Sequence, residues 1–328
     1  MKTVSFSKNS TNIFFHILTN CNLRCQHCYI NPEQHGKNTL PLSTIESWLE
    51  AFVGKSDTAN VIFLGGEPTL HPDLSSAVKC AKRLGYSSVT IDTNGYLFHD
   101  ILSKTEPDDI DYLSFSLDGA TRQTNDRIRG EGSYDICTAG IREAVSRGFS
   151  TSLIYTVSRT NIRELEQMGP LLKDLGIRRF FIQVIGIRGK SASIGEKLQL
   201  SKEEWLRAIP KVAGKVAELG ITVTYPKVFL DSEEPFECAG LVADNYFIFP
   251  NGRVYQCPLC EDFPIHSLRF EGDRLVRTGK INERDLFTLS IPEGCVMNKL
   301  IQPDNLEYKD NGAAAYKIAC CLLKEEIR

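Results

Sequence analysis

Apolar and polar residues alternate with two different periods along the first part of the chain. Short runs rich in β-branched and aromatic residues predict six strands and a candidate seventh. They lie at residues 12–18, 60–64, 88–92, 112–117, 150–157 and 179–185, with 221–225 as the seventh. Between them, apolar residues at helical spacing predict helices at 43–52, 74–84, 134–147, 162–175 and 202–219.

This strand–helix alternation predicts an α/β fold in which crossover helices connect the strands of a parallel sheet. Ser201, followed three residues later by Glu204, predicts a capping box at the start of the last of these helices. The alternation alone leaves open whether the sheet closes into a barrel.

The pattern changes after about residue 230, where two short hairpins replace the strand–helix repetition. Asn251-Gly252 predicts the turn of the first hairpin, because this dipeptide readily adopts the positive φ angles that such turns need. Residues 267–270 and 274–277 predict the second hairpin. We therefore divide the chain into residues 1–230 and residues 231–328, and expect the second unit to pack on the first.

Composition and charge narrow the class of protein. The chain has 328 residues and a net charge of −3, so no basic field indicates nucleic-acid binding. No window approaches eighteen uninterrupted apolar residues, so we expect no membrane span. The eleven cysteines accompany no secretory signal pattern, which favours a cytoplasmic protein whose cysteines are metal ligands or catalytic thiols.

Three of these cysteines stand close together after the first predicted strand. Cys21, Cys25 and Cys28 have the spacing Cys-x3-Cys-x2-Cys in a polar segment without a helical stripe. Three thiols on one loop can share an iron–sulfur cluster and leave one iron open. The alternative is a structural zinc site, for which His16, His27 or His35 would be the fourth ligand.

Further motifs follow at the ends of later predicted strands. Gly65, Gly66, Glu67 and Pro68 follow the second strand, and the two glycines permit a close backbone approach to a ligand. Polar groups also end the third, fourth and sixth strands, where α/β barrels place their chemistry. They include Asn94, Ser116, Gln183 and Arg188, with Arg127 and Arg129 in a segment that precedes a predicted helix.

In this order the motifs resemble those of the radical S-adenosylmethionine (SAM) superfamily. The resemblance implies a partial (β/α)6 TIM-like barrel over roughly residues 12–230, open on one side. It also implies that Cys21, Cys25 and Cys28 hold a [4Fe-4S] cluster whose open iron binds SAM, which is then cleaved reductively to a 5′-deoxyadenosyl radical. The residues implied to contact SAM are Tyr29, Gly65, Gly66, Glu67, Pro68, Asn94, Ser116, Arg127, Arg129 and Gln183.

The C-terminal cysteines resemble the auxiliary-cluster region called SPASM, or its shorter relative the twitch domain. Their number falls short of two complete cubes, so we expect one auxiliary [4Fe-4S] cluster in a small hairpin-plus-helix domain. The expected ligands are Cys238, Cys257, Cys295 and Cys320, with Cys260 and Cys321 less defined. Cys260 is also a candidate hydrogen-atom donor to a substrate radical, and a zinc knuckle is the alternative to a cluster.

Three functions remain open from the sequence. The leading hypothesis, which the resemblance implies, is modification of a peptide or protein by oxidation, cross-linking or epimerisation. The second is chemistry on a small molecule such as a sugar, an aminocyclitol or a cofactor precursor, and the third is a zinc or iron–sulfur protein without SAM chemistry. In either enzymatic case we expect an electron donor such as flavodoxin or ferredoxin as a partner.

Overall fold

The structure, a computed structural model, describes residues 2–4, 9–194, 198–279 and 281–328. It contains a 13-stranded sheet and a second sheet of two strands. In chain order the strands are β1 (Lys2–Val4), β2 (Ser10–His16), β3 (Thr58–Leu64), β4 (Ser88–Thr93), β5 (Tyr112–Ser116), β6 (Thr151–Val157), β7 (Arg179–Val184), β8 (Thr222–Pro226), β9 (Phe229–Asp231), β10 (Asp244–Ile248), β11 (Arg253–Tyr255), β12 (Leu268–Glu271), β13 (Arg274–Arg277), β14 (Tyr316–Ile318) and β15 (Lys324–Ile327).

The large sheet is parallel through its middle and antiparallel at both ends. Strands β2 to β8 pair in parallel in chain order, and β10 pairs in parallel with β2. Beyond β8, β15 and then β1 continue antiparallel, and β11, β12 and β13 continue antiparallel from β10. Among the described residues the edge strands β1 and β13 do not pair, so the sheet is open. The predicted partial barrel is confirmed.

Helices connect the parallel strands β2 to β8, as crossover connections require. They are α1 (Pro32–His35), α2 (Leu42–Glu50), α3 (Leu74–Arg83), α4 (Ile101–Lys104), α5 (Arg122–Arg129), α6 (Ser133–Ser146), α7 (Met168–Asp174) and α8 (Lys202–Ala217). The C-terminal part of the chain adds α9 (Ala239–Val242), α10 (Glu283–Phe287) and α11 (Val296–Ile301). Ser201 and Glu204 form the predicted capping box of α8. We expect residues 125–130 to precede a helix, but most of them belong to a helix themselves, α5.

The two faces of the parallel strands have different surroundings. Side chains alternate between the faces along a strand, so Phe15 and Leu153 are buried in the main hydrophobic core. Their neighbours Phe14 and Ile154 line a cavity on the other face. The same alternation holds in the other parallel strands, and it separates the core of the fold from the space available to a ligand.

The C-terminal part of the chain contributes to both ends of the large sheet. The β10–β13 strands extend it from β2, and β15 extends it from β8. The sequence boundary between residues 230 and 231 falls inside β9, whose partner is β14. No helix in the described part of the chain is long and apolar enough to span a membrane.

Candidate active site

A large cavity lies at the carboxyl ends of the parallel strands. Its empty volume is about 1760 Å³, including space open to solvent. Most of the residues predicted to bind SAM or its cluster line this cavity. They are Cys21, Cys25, Cys28, Tyr29, Gly65, Gly66, Glu67, Asn94, Ser116, Arg129 and Gln183.

Two of the predicted SAM contacts do not line the cavity. Pro68 is buried outside the cavity lining and begins a short 3-10 helix. Arg127 is exposed on α5, two positions from Arg129, which is buried and faces the cavity. Residues two apart on a helix point in different directions, so the helical conformation of this segment decides between the two arginines.

The cysteine loop is fastened to the end of α5. The backbone N–H of Gln26 donates to the carbonyl of Ile128 at 2.9 Å. The Arg129 guanidinium lies 4.0 Å from Cys25 Sγ, through Nη1. The backbone N–H of Leu23 and the side-chain amide of Asn94 donate to Cys21 Sγ at 3.4 Å and 3.8 Å. N–H groups and a guanidinium directed at sulfur are the surroundings that favour thiolate ligands.

A buried carboxylate lies behind this loop. Asp118 is fully buried, with 0% exposure. Its Oδ2 is 2.6 Å from Arg129 Nε and 3.2 Å from His27 Nε2. Its Oδ1 accepts a hydrogen bond of 2.7 Å from the backbone N–H of Thr156. Asp118 therefore connects the cysteine loop, through His27, to α5 and to β6.

Gly65 and Gly66 lie so close to a neighbouring backbone segment that a Cβ atom at either position would clash with it. A Cβ atom at Gly66 would lie 2.1 Å from the carbonyl oxygen of Asn20, and one at Gly65 would lie 2.5 Å from that of Leu18. The N–H groups of Gly66 and Glu67 donate to Leu18 and Asn20 at 3.1 Å and 3.0 Å. The strand end at Gly65 and Gly66 thus positions the segment that leads directly into Cys21.

Glu67 is held within the cavity wall by its own hydrogen bonds. Oε1 accepts from the hydroxyl groups of Thr69 and Thr93 at 2.6 Å and 2.7 Å, and Oε2 accepts from the backbone N–H of Asn94 at 2.7 Å. Burial raises the pKa of Glu67, while these hydrogen bonds oppose the shift. Glu67 consequently fixes the turn that presents Asn94 to the cavity.

Tyr29 links the cysteine loop to the C-terminal part of the chain. Its hydroxyl group is 2.7 Å from His16 Nε2, and the Arg188 guanidinium lies 4.9 Å from the centre of its ring. Arg188 forms an ion pair of 2.8 Å with Glu261, beside Cys260. This chain of contacts places the two cysteine-rich regions on adjoining walls.

The C-terminal cysteines converge, although they come from four separate segments. Cys260 and Cys295 lie in a second hydrophobic cluster, with Cys257 and Cys321 packed against it. Cys238 interacts electrostatically with Cys260 and Cys295, and Cys320 with Cys257 and Cys295. Cys320 and Cys321 lie at a turn before β15, where neighbouring side chains need not diverge, and each thiol shifts the pKa of the other, raising that of Cys320 and lowering that of Cys321.

The predicted role of Cys260 as a hydrogen-atom donor is not supported by its position. Its side chain is fully buried, with 0% exposure, and it is not among the cavity-lining residues. Cys321 lines the cavity instead. The sequence analysis also missed Asp92 and Lys324, which face the same space. Asp92 ends a predicted strand, whereas Lys324 has no local signal because β15 was not predicted.

The donor set fits a cluster better than a single metal ion. Within residues 2–4, 9–194, 198–279 and 281–328, no three His, Cys, Asp or Glu side chains converge as a group that could hold one ion. A cluster distributes its thiolates over several irons, so its ligands need not meet at one point. Cys21, Cys25 and Cys28 face one cavity and have no histidine fourth ligand, since His16 contacts Tyr29 and Ile248, His27 contacts Asp118 and His35 contacts Glu261.

Comparison with known proteins agrees with this fold and site. Residues 16–169 match the family model described as the Radical SAM superfamily. A probable GTP 3′,8-cyclase of Saccharolobus islandicus is 32% identical over 199 residues, which cover 60% of this chain and 62% of that protein. An Fe-coproporphyrin III synthase of Methanosarcina barkeri is 29% identical over 222 residues, which cover 66% of this chain and 54% of that protein. The chain thus matches less than two thirds of the length of either relative.

Solved structures show the same fold. Streptococcus suis SuiB has a TM-score of 0.65 at 15% identity, over 81% of this chain and 64% of that one. Native anSMEcpe with bound AdoMet has a TM-score of 0.61 at 13% identity, over 80% of this chain and 78% of that one. Residues 16–169 of the chain are thus similar to the Radical SAM superfamily, and the neighbouring structures share its fold. The family implies SAM and a [4Fe-4S] cluster as cofactors.

The close approach of Gly66 to Asn20 can be tested by adding one methyl group. Gly66→Ala should lower the free energy of unfolding by roughly 1–3 kcal/mol, because a backbone segment must shift to admit the Cβ atom. Gly214→Ala is the control, since nothing lies within 4 Å of that position in α8. Urea unfolding followed by circular dichroism measures both, and equal stability of Gly66→Ala and the wild type would contradict the contact.

The buried ion pair of Asp118 can be compared with an exposed pair. Asp118→Asn should cost about 3–5 kcal/mol of unfolding free energy, because it leaves the Arg129 charge buried without its counter-ion. Asp135→Asn removes an exposed pair with Arg122 at 2.8 Å, and should cost no more than about 1 kcal/mol. The same denaturation measurement distinguishes them, and similar losses in both variants would refute the role assigned to Asp118.

Proposed function

We propose that this chain is a radical SAM enzyme that abstracts a hydrogen atom from a small molecule bound in the cavity. When bound, the cluster and SAM supply the one-electron cleavage that generates the 5′-deoxyadenosyl radical. The single observation that carries the proposal is the convergence of Cys21, Cys25 and Cys28 on one cavity with Asn94 and Arg129. The protein then binds and orients SAM and substrate, and excludes water from them.

The wall beside the three cysteines supplies groups suited to SAM. Asn94 is anchored through its backbone by Glu67, and its side-chain amide lies 2.8 Å from Asn22 Oδ1 and faces the cysteine loop. Arg129 supplies a buried positive charge whose partner Asp118 lies behind it. Ser116 at the end of β5 and Gln183 near the end of β7 line the same space. We assign these side chains to the methionine carboxylate and the nucleoside of SAM.

We further propose one auxiliary [4Fe-4S] cluster among the C-terminal cysteines. The support is that each of the six thiols is close enough to at least one other to affect its pKa. One of the six, Cys321, also lines the cavity. Cys238, Cys257, Cys295 and Cys320 are the assigned ligands. Cys260 and Cys321 are also near enough to take part, and Cys321 is the one that a substrate could reach. The electron donor is a flavodoxin- or ferredoxin-type protein.

Two observations favour a small-molecule substrate over a peptide. The relatives with significant sequence identity carry names that refer to a GTP cyclase and a coproporphyrin synthase. The cavity is a concave space lined by convergent polar groups, which is the usual form of a small-molecule site. The structures of peptide-bound neighbours are below 25% identity and bear only on the fold.

The cluster assignment predicts a defined loss of iron. After anaerobic reconstitution, the wild type should hold about eight irons and the triple variant Cys21→Ala, Cys25→Ala, Cys28→Ala about four, with SAM cleavage abolished. Cys80→Ala is the control, because Cys80 is buried in α3 away from the cavity. Iron and sulfide analysis and quantification of 5′-deoxyadenosine measure the outcome. Unchanged SAM cleavage in the triple variant would refute the proposal.

The substrate class predicts how a cell extract should stimulate turnover. Addition of a low-molecular-mass extract to the reconstituted enzyme with SAM and a reductant should increase 5′-deoxyadenosine formation. Treatment of that extract with a broad-specificity protease, followed by removal of the protease, should leave the stimulation intact if the substrate is a small molecule. Stimulation that disappears after protease treatment would instead identify a peptide substrate.

A further inference from the structure

Among the residues that the structure describes, three lysine or arginine side chains line the cavity, and two of them are already paired. Arg129 forms its ion pair with Asp118, and Arg188 forms its ion pair with Glu261. Both carboxylates are buried, and of the two only Glu261 lines the cavity. These two cations are therefore largely neutralised by the protein itself, and the remaining one is Lys324.

Lys324 lies in β15, at the far end of the parallel series from the cysteine loop. Among the described residues its ammonium group forms neither an ion pair nor a hydrogen bond, and its Nζ lies 5.5 Å from the centre of the Phe181 ring. Phe181 and Leu322 also line the cavity and give it an apolar surface at this end. An ammonium group in such surroundings loses hydration, and burial accordingly lowers the pKa of Lys324.

Asp92, Cys320 and Cys321 are close enough to Lys324 to interact with it electrostatically. Asp92 lines the same cavity from β4, and Cys321 lines it beside Lys324. Burial raises the pKa of Asp92 to about 7, and the Ser114 hydroxyl group opposes this shift. Among the described residues none of these groups forms an ion pair with Lys324, so its ammonium group can meet an anionic group of a ligand.

We propose that Lys324 binds an anionic group of the substrate, a carboxylate or a phosphate, and so orients the substrate towards the cysteine loop. This inference rests on the proposed function, because it assumes that substrate enters this cavity. Charge-assisted hydrogen bonds to an ammonium group are strong where water is scarce, and the apolar neighbours of Lys324 provide such a site. Asp92, facing it, can accept a hydrogen bond from a hydroxyl or amino group of the same molecule.

The position of Lys324 separates this subsite from the SAM region. The cysteines and the glycine pair follow β2 and β3, whereas β15 lies beyond β8 at the other end of the parallel strands. Asn94 and Arg129 are on the side of the cysteine loop, as their contacts with Cys21 and Cys25 show. We assign the carboxylate of SAM to these partners and an anion bound at Lys324 to a second molecule.

Calorimetric titration of the reconstituted protein with SAM already bound tests the subsite. The probes are inorganic pyrophosphate and succinate, which represent the two kinds of anionic group. Lys324→Met should raise the dissociation constant of the probe that binds by roughly tenfold or more, and Lys324→Arg should retain most of the affinity. Lys309→Met is the control, because Lys309 is exposed and outside the cavity.

The two probes distinguish the kind of substrate. A loss confined to pyrophosphate supports a phosphate-bearing substrate, and a loss confined to succinate supports a carboxylate-bearing one. A loss of both supports an anion site that accepts either. Absence of probe binding by the wild type, or equal affinity in Lys324→Met and the wild type, would overturn the inference.

A measurement on the wild type keeps the test independent of variant folding. Pyrophosphate or succinate should slow acetylation of Lys324 by acetic anhydride, as read by mass spectrometry, without slowing that of Lys309. Unchanged labelling of Lys324 would overturn the inference. SAM cleavage by the wild type reports separately on the proposed function, so an anion site in a protein that does not cleave SAM would uphold the subsite while refuting the enzyme.

Discussion

The parallel alignment of β10 and of β2 through β8 is the constraint on which the rest of the molecule depends. Parallel pairing brings the carboxyl ends of all these strands to one rim, and alternation along each strand directs every second side chain to the inner face. His16, Asn94, Ser116 and Gln183 thereby reach one cavity from different strands. Because the sheet stays open, the space between its ends is large enough for a cofactor and a second ligand.

Buried carboxylates hold in place the loops at the carboxyl ends of the parallel strands. Asp118 holds the cysteine loop and α5 through His27 and Arg129, and Glu67 holds the turn that carries Asn94. A buried charge is costly unless it is paired or fully hydrogen-bonded, and both groups meet that condition. The same requirement restricts the loops to one arrangement. Loop positions near the cavity are consequently set by buried polar contacts more than by apolar packing.

The C-terminal part of the chain completes the cavity from both ends of the sheet. One portion pairs with β2 and brings Cys257, Cys260 and Glu261 next to Tyr29 and Arg188. The last strand pairs with β8 and brings Lys324 to the opposite wall. The two cysteine-rich regions and the proposed anion subsite thus border the same cavity, although they are far apart in the sequence.

The sequence by itself determined the parallel strands of the α/β fold, its main helices and the three-cysteine loop, because each depends on local spacing of two to four residues. The strand–helix alternation did not decide whether the barrel closes, and only the resemblance of the motifs implied an open one. The sequence also identified most cavity-lining motifs, since strand ends carry a local signature. It could not choose between Arg127 and Arg129, exclude Cys260 from the cavity, or reveal Cys321 and Lys324. The helical conformation of α5 selects Arg129. The other outcomes depend on which distant segments become neighbours, because strand pairing joins β15 to β8 and the pair of Arg188 and Glu261 joins residues 73 positions apart.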